Sequence, residues 1–230
     1  MSRKARVAPG GLIYHVWNRA VAKTKIFRSE ADFAAYERVL IEAKRRFPMR
    51  ILDYCILSNH WHFVVWPEED GELSAFFRWM TLTHAMRWRV SHHTVGFGSL
   101  YQGRFKNLPV QEDHHFLTLC RYVERNPVTA GLVQRAQDWR WGSLWVRQRG
   151  TAGLKSLLSA WPVDRPRNWI ETVNTALTTK ELDRITAALK RSQPFGDEKW
   201  MSRTVTKLGL EHTIRREGRP GSGQKSIKAR

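Results

Sequence analysis

The chain has 230 residues, 39 of them Lys or Arg against 21 Asp or Glu, giving a formal net charge of +18. That length suits one substantial core with an appended segment rather than several domains, and the positive excess points to a polyanionic partner, DNA or RNA, bound with counterion release. Two cysteines in apolar segments without a C-x-x-C pattern argue against a disulfide scaffold or a zinc site; apolar runs well short of ~20 residues and no visible signal peptide predict a cytoplasmic protein without a membrane span.

After a basic leader to about Ala8, GLIYHVWNRAV reads as a strand. Alternation places Tyr14, Val16 and Asn18 on one face and Ile13, His15 and Trp17 on the other. Asn18 and Arg19, at its end, are candidate DNA contacts. Ser29 to Arg46 reads as a helix: Ser29 can cap it, Asp32 sits three positions on, and Phe33, Tyr36, Leu40 and Ala43 recur at helical spacing.

Ile51 to Trp66, ILDYCILSNHWHFVVW, reads as two strands joined by turn chemistry at Ser58-Asn59. In the second strand His60 and His62 stand side by side, while Trp61 and Phe63 face the other way. Two imidazoles at that spacing can share one divalent ion and leave most of its coordination sphere open, which suits a catalytic ion better than a structural one. Two half-buried histidines on a sheet face would give the same pattern.

A second helix is expected from about Leu73 to Val90, with Trp79, Met86 and Val90 toward the core and Arg78, Arg87 and Arg89 at the surface. Eleven tryptophans and ten phenylalanines interleaved with arginines suit stacking on unpaired bases, although most of the tryptophans are expected in the core. Phe105 to Gln111 reads as a strand, with Arg104 and Lys106 alternating around Phe105. These two cations can contact a phosphate backbone or simply decorate an exposed edge.

In the next segment Phe116, Leu119, Cys120 and Val123 recur at helical spacing, with Pro127 expected just past the helix end. Tyr122 and Asn126 lie one turn apart on one face of this helix of about three or four turns. Each alone also fits an ordinary role, Tyr122 as a packing residue and Asn126 as a helix terminus. The order strand, helix, strand, strand, helix, strand predicts an α+β, ferredoxin-like (split βαβ) antiparallel sheet with helices on one face, plus a C-terminal helical extension. In the extension, Thr179 to Arg191 reads as a helix with Leu182, Ile185 and Leu189 on one stripe.

SNHWHFVVW, LYQGRFKNLPV and RYVERNPVTAGLV, in this order, resemble the IS200-type single-tyrosine HUH transposases, and among them the REP-associated tyrosine transposases. The similarity runs from about Tyr14 to Trp145, and SQPFGDEKW and RREGRPG resemble the C-terminal part of the same group. Where that family commonly has Pro-Asn-His, this chain has Ser58-Asn59-His60.

The resemblance implies that His60, His62 and Asn126 hold Mg²⁺ or Mn²⁺ against a scissile phosphate and that Tyr122 attacks it. The implied product is a 5′-phosphotyrosine and a free 3′-OH, exchangeable without a nucleotide cofactor. It implies as partner single-stranded DNA carrying a hairpin of the REP-type palindrome class, and a protein that acts as a monomer, with a dimer as the alternative. Residues 1–150 are then the catalytic domain, 151–214 a helical extension and 215–230 a mobile basic tail. In that tail Arg215, Arg216 and Arg219 form either a phosphate-binding arm or a solvated end. Two other classes remain at this point: a non-catalytic binder of structured DNA or RNA on the same sheet, and a metallohydrolase of another kind, whose usual motifs the chain lacks. His84, His92, His93, His114 and His115 have no assigned partner.

Overall fold

The computed structural model describes residues 6–215; Arg216 and Arg219, with the rest of the expected tail beyond Arg215, lie outside the described residues. Strands β1 (Ile13–Arg19), β2 (Arg50–Ile56), β3 (His60–Trp66) and β4 (Lys106–Val110) form one sheet in the order β2-β3-β1-β4, with all neighbours antiparallel. Helices α1 (Glu30–Arg46) and α2 (Glu72–Ser91) connect β1 to β2 and β3 to β4. This is the split βαβ arrangement predicted from the sequence.

Helix α1 starts where Ser29 and Asp32 form a reciprocal capping box, an arrangement that satisfies two otherwise orphaned N–H groups and contributes about 1 kcal/mol. Helix α2 corrects the expected register: its buried residues are Leu73, Phe76, Phe77, Met80, His84 and Trp88, whereas Met86 and Val90 are 63% and 60% exposed. The buried stripe contains a histidine, so it reads as polar. His84 is neutralised there by burial, with its pKa lowered to about 3, and its Nδ1 lies 2.8 Å from the Tyr101 hydroxyl.

Against α1 and α2 the sheet presents Tyr14, Val16, Tyr54, Trp61 and Phe63. The opposite face, with Ile13, Cys55, Val64 and Leu108, is covered by α3 (His114–Thr129) and by part of the extension. The extension comprises α4 (Ser143–Arg149), α5 (Ala152–Lys155), α6 (Trp169–Asn174), α7 (Thr179–Arg191), α8 (Glu198–Leu208) and α9 (Glu211–Ile214). Helices on one face therefore describes the split βαβ unit itself. The second face is closed by α3 and by Trp169, Val173, Ile185 and Ala188 of α6 and α7. Both cysteines are free and buried.

Helix α3 runs through Pro127 instead of ending before it. Proline there removes one intrahelical donor near the C-terminus, and the chain continues because Ala130 N donates to Asn126 O at 2.8 Å and Leu132 N to Pro127 O at 2.9 Å. The helix is held to the sheet by a buried polar contact that begins at a β-bulge. The β2–β3 register shifts between Ile51 and Asp53, so that Leu52 and Asp53 both turn toward α3. The Asp53 carboxyl meets the Ser143 hydroxyl, which also lies 3.2 Å from Glu124 Oε1, while Trp169 Nε1 donates to Glu124 Oε2 at 2.6 Å.

Burial, and for Asp53 the neighbouring Glu124 charge, hold both carboxyls above the usual carboxylate range. The folded state therefore keeps a proton that the unfolded chain gives up near pH 4. Stability from this proton is full below that value and is lost as pH rises toward the folded pKa, by up to about 1.4 kcal/mol per pH unit per group. In Asp53→Asn, urea melts from pH 4 to 8 should show the variant gaining on the wild type as pH rises. A difference that stays constant with pH would mean that Asp53 is ionised in the fold.

Candidate active site

Strand pairing decides which side chains meet. On β1 and β3, Arg19 faces His60 and Trp17 faces His62, while on the other edge of β1 Trp17 faces Lys106. All of these lie on the α3 side of the sheet. Tyr122, on α3, stands over His62 with ring centroids 5.8 Å apart at 84°, and the His60 and His62 rings are 5.0 Å apart. The imidazole pair and the phenol, separated by 60 residues of sequence, thus share one place.

That place is a cleft of about 510 Å³ lined by Trp17, Asn18, Arg19, His60, His62, Gln102, Gly103, Arg104, Lys106, Tyr122, Thr186, Leu189 and Lys190. Four of these side chains are cationic and none is a carboxylate. Such a lining attracts an anion of phosphate type. Arg104 and Lys106 are exposed there while Phe105 between them is buried. Asn18 is only 6% exposed; its amide donates to Gly103 O at 3.2 Å and its Oδ1 accepts from Arg19 N at 2.9 Å. Asn18 therefore fixes the loop that carries Arg104.

The histidines are neutral. Burial, with Arg19 adding to it, lowers His60 to about 4, and burial with the charges of His60, His15 and Arg19 holds His62 well below its ordinary value. His60 Nδ1 lies 2.6 Å from Asn59 Oδ1. Since that oxygen can only accept, His60 carries its proton on Nδ1 and has a lone pair on Nε2. His62 Nδ1 is 2.9 Å from His15 Nε2, and His62 Nε2 is buried without a hydrogen-bond partner among the described residues. Neutral imidazoles, one with an orphaned buried nitrogen, fit a divalent cation with open positions.

Asn126 is not among the residues that line the cleft. Its Nδ2 donates to the Tyr122 carbonyl at 2.9 Å, which places it one turn below the phenol. Burial raises the Tyr122 pKa, and the Asn126 side chain and the Arg19 charge oppose that rise without cancelling it. The phenol is thus protonated at neutral pH.

Thr186, Leu189 and Lys190, contributed by α7, escaped the sequence reading; only the apolar stripe of that helix was visible. Asp113, His114 and His115 have ligand atoms within 4.8 Å of one another, at the start of α3 and outside the cleft. His115 Nδ1 is 2.8 Å from Asp113 Oδ1, and Arg184 Nη2 donates to its Nε2 at 3.0 Å. Both ring nitrogens are used, so this group caps the helix. Arg215 is exposed and its carbonyl accepts from Arg191 Nη1 at 3.0 Å.

Fold and cleft together define an α+β protein that offers imidazoles, a phenol and basic side chains to an anionic ligand. The family model described as "Transposase IS200 like" matches residues 10–126, and the chain belongs to that family. Among solved structures it is similar to the REP-associated tyrosine transposase bound to a REP hairpin, at 21% identity over 72% of this chain and 95% of that one, with a TM-score of 0.51. It is also similar to a Deinococcus radiodurans protein described as a transposase, at 16% identity over 54% of this chain and 96% of that one, with a TM-score of 0.38. No curated protein matches it. Among the described residues no helix is long and apolar enough to cross a membrane.

Proposed function

We propose that this protein is a single-strand DNA endonuclease and strand transferase of the REP-associated group, cleaving beside a DNA hairpin through a 5′-phosphotyrosine. The observation that carries this reading is the meeting of Tyr122 with His62 and His60 in a cleft of basic lining. All three come from one chain, which favours a monomer with residues 1–150 as the catalytic unit and 151–214 walling the cleft through Thr186, Leu189 and Lys190.

In this reading Arg19, Arg104, Lys106 and Lys190 draw the DNA backbone into the cleft. His60 and His62 line the cleft and are the residues that would hold Mg²⁺ or Mn²⁺; Asn126 would join them by turning its amide from the Tyr122 carbonyl toward the cleft. When bound, the ion supplies Lewis-acid polarisation of the phosphate and neutralises charge on its oxygens. Tyr122 Oη forms a bond to phosphorus as the bond to the 3′ oxygen breaks; the phenol loses its proton and the departing oxygen leaves as a 3′-hydroxyl. Arg19 lowers the cost of the phenolate. The bond count is conserved, so a 3′-OH can reverse the step and join strands without a nucleotide cofactor. By their charge, Arg215 and, outside the described residues, Arg216 and Arg219 remain proposed contacts to the phosphate backbone.

A hairpin oligonucleotide with single-stranded flanks, incubated with Mn²⁺ and run on a denaturing gel, should give a protein–DNA adduct that EDTA abolishes. Binding without any adduct on REP-type hairpins would make the protein a binder of structured DNA instead.

A further inference from the structure

His15 is wholly buried at the centre of β1, where an aliphatic side chain would cost less. The register pairs it with Val64, two residues from His62 along β3, which makes it the diagonal neighbour of His62 on the same face. Its ring lies near-parallel to both neighbours, its centroid 5.0 Å from Trp17 at 20° and 5.0 Å from His62 at 11°. Among the described residues its one hydrogen-bond partner is His62 Nδ1, 2.9 Å from its Nε2, and its Nδ1 has none.

One proton lies between those two nitrogens. If it sits on His62 Nδ1, then His62 Nε2 has a lone pair for a cation. If it sits on His15 Nε2, then His62 Nε2 carries hydrogen and cannot ligate. We propose that His15 is a positioning residue whose Nε2 accepts a hydrogen bond from His62 Nδ1–H, fixing the ring and the tautomer in which His62 Nε2 can bind a divalent ion. The inference rests on the reading of His60 and His62 as ligands. Sequence spacing conceals it, because the contact exists only through the β1–β3 register.

Two measurements on the full chain test it. In titrations followed by electron paramagnetic resonance of free Mn²⁺, His15→Phe keeps the ring but offers no acceptor, and should weaken binding about 10–100-fold. His15→Gln restores an acceptor at the same reach and should recover most of the affinity, with both variants melting cooperatively. The second measurement needs no variant: in ¹⁵N-histidine-labelled wild type saturated with Mg²⁺, the one-bond N–H coupling should place the proton on His62 Nδ1, and the nitrogen–nitrogen coupling across the hydrogen bond should identify His15 Nε2 as its acceptor. A proton found on His15 Nε2, or a folded His15→Phe that binds Mn²⁺ as the wild type does, overturns the role of His15. If His60→Ala also binds Mn²⁺ as the wild type does, the ligand reading itself fails, and the inference with it.

Discussion

Tyr122→Phe is expected to abolish the covalent adduct, with cleavage lowered on the order of 10⁴-fold or more, because the only atom removed is the one that would bond to phosphorus. Hairpin binding should stay within about threefold, since the ring that meets His62 at 5.8 Å is retained and threefold corresponds to roughly 0.6 kcal/mol. Gel shift and denaturing gel on the same preparation separate the two effects. Tyr101 is the natural rival by sequence, lying in the LYQGRFK segment. It is 6% exposed on the α1–α2 side of the sheet, its hydroxyl accepting from Trp61 Nε1 at 3.2 Å and bonded to His84. Adduct formation that survives in Tyr122→Phe would move the nucleophile out of this cleft.

His62→Ala is expected to cost on the order of 10²–10⁴-fold in Mn²⁺-dependent cleavage, the equivalent of several kcal/mol of charge stabilisation at the phosphate. Because His62 is 3% exposed, its truncation also leaves a cavity and strips His15 of its hydrogen bond, and a melting curve must accompany the assay. His60→Ala separates these effects. His60 is only half-buried, so that variant should fold as the wild type does and still lose metal dependence. Cleavage by the wild type at the same rate with Mn²⁺ and with EDTA would remove both histidines from the chemistry.

The sheet was legible because period-2 alternation in β1 and β3 assigns each face from the residues alone: Trp61 and Phe63 are core on the helix side and His60 and His62 face α3, as read. Capping of α1 was legible for a similar local reason, Ser29 followed by Asp32. Helix α2 was misread because it carries two apolar stripes, and the buried one includes His84, a polar residue satisfied only by the distant Tyr101. The bulge before Asp53 could not be seen in the run ILDYCIL, where no turn residue marks it, yet it is what turns Asp53 toward Glu124 on α3.

Among the residues lining the cleft, those with motif spacing are legible in the sequence and those recruited from afar are not. His60, His62, Arg19, Arg104, Lys106 and Tyr122 meet in the cleft; Lys190 and Thr186 reach it only through packing of α7 across the sheet. Asn126 stacks under Tyr122 at helical spacing, as read, but donates to its own helix instead of lining the cleft. Pro127 did not end the helix because the backbone bonds beyond it re-form around its missing donor.

The convergence of two imidazoles and one phenol on a single phosphate is tested most directly by digesting the covalent adduct and mapping, by mass spectrometry, the amino acid that carries the DNA. The expected result is a nucleotide attached through its 5′-phosphate to Tyr122, with a 3′-hydroxyl on the released fragment. Attachment to any other residue, or through a 3′-phosphate, would contradict it.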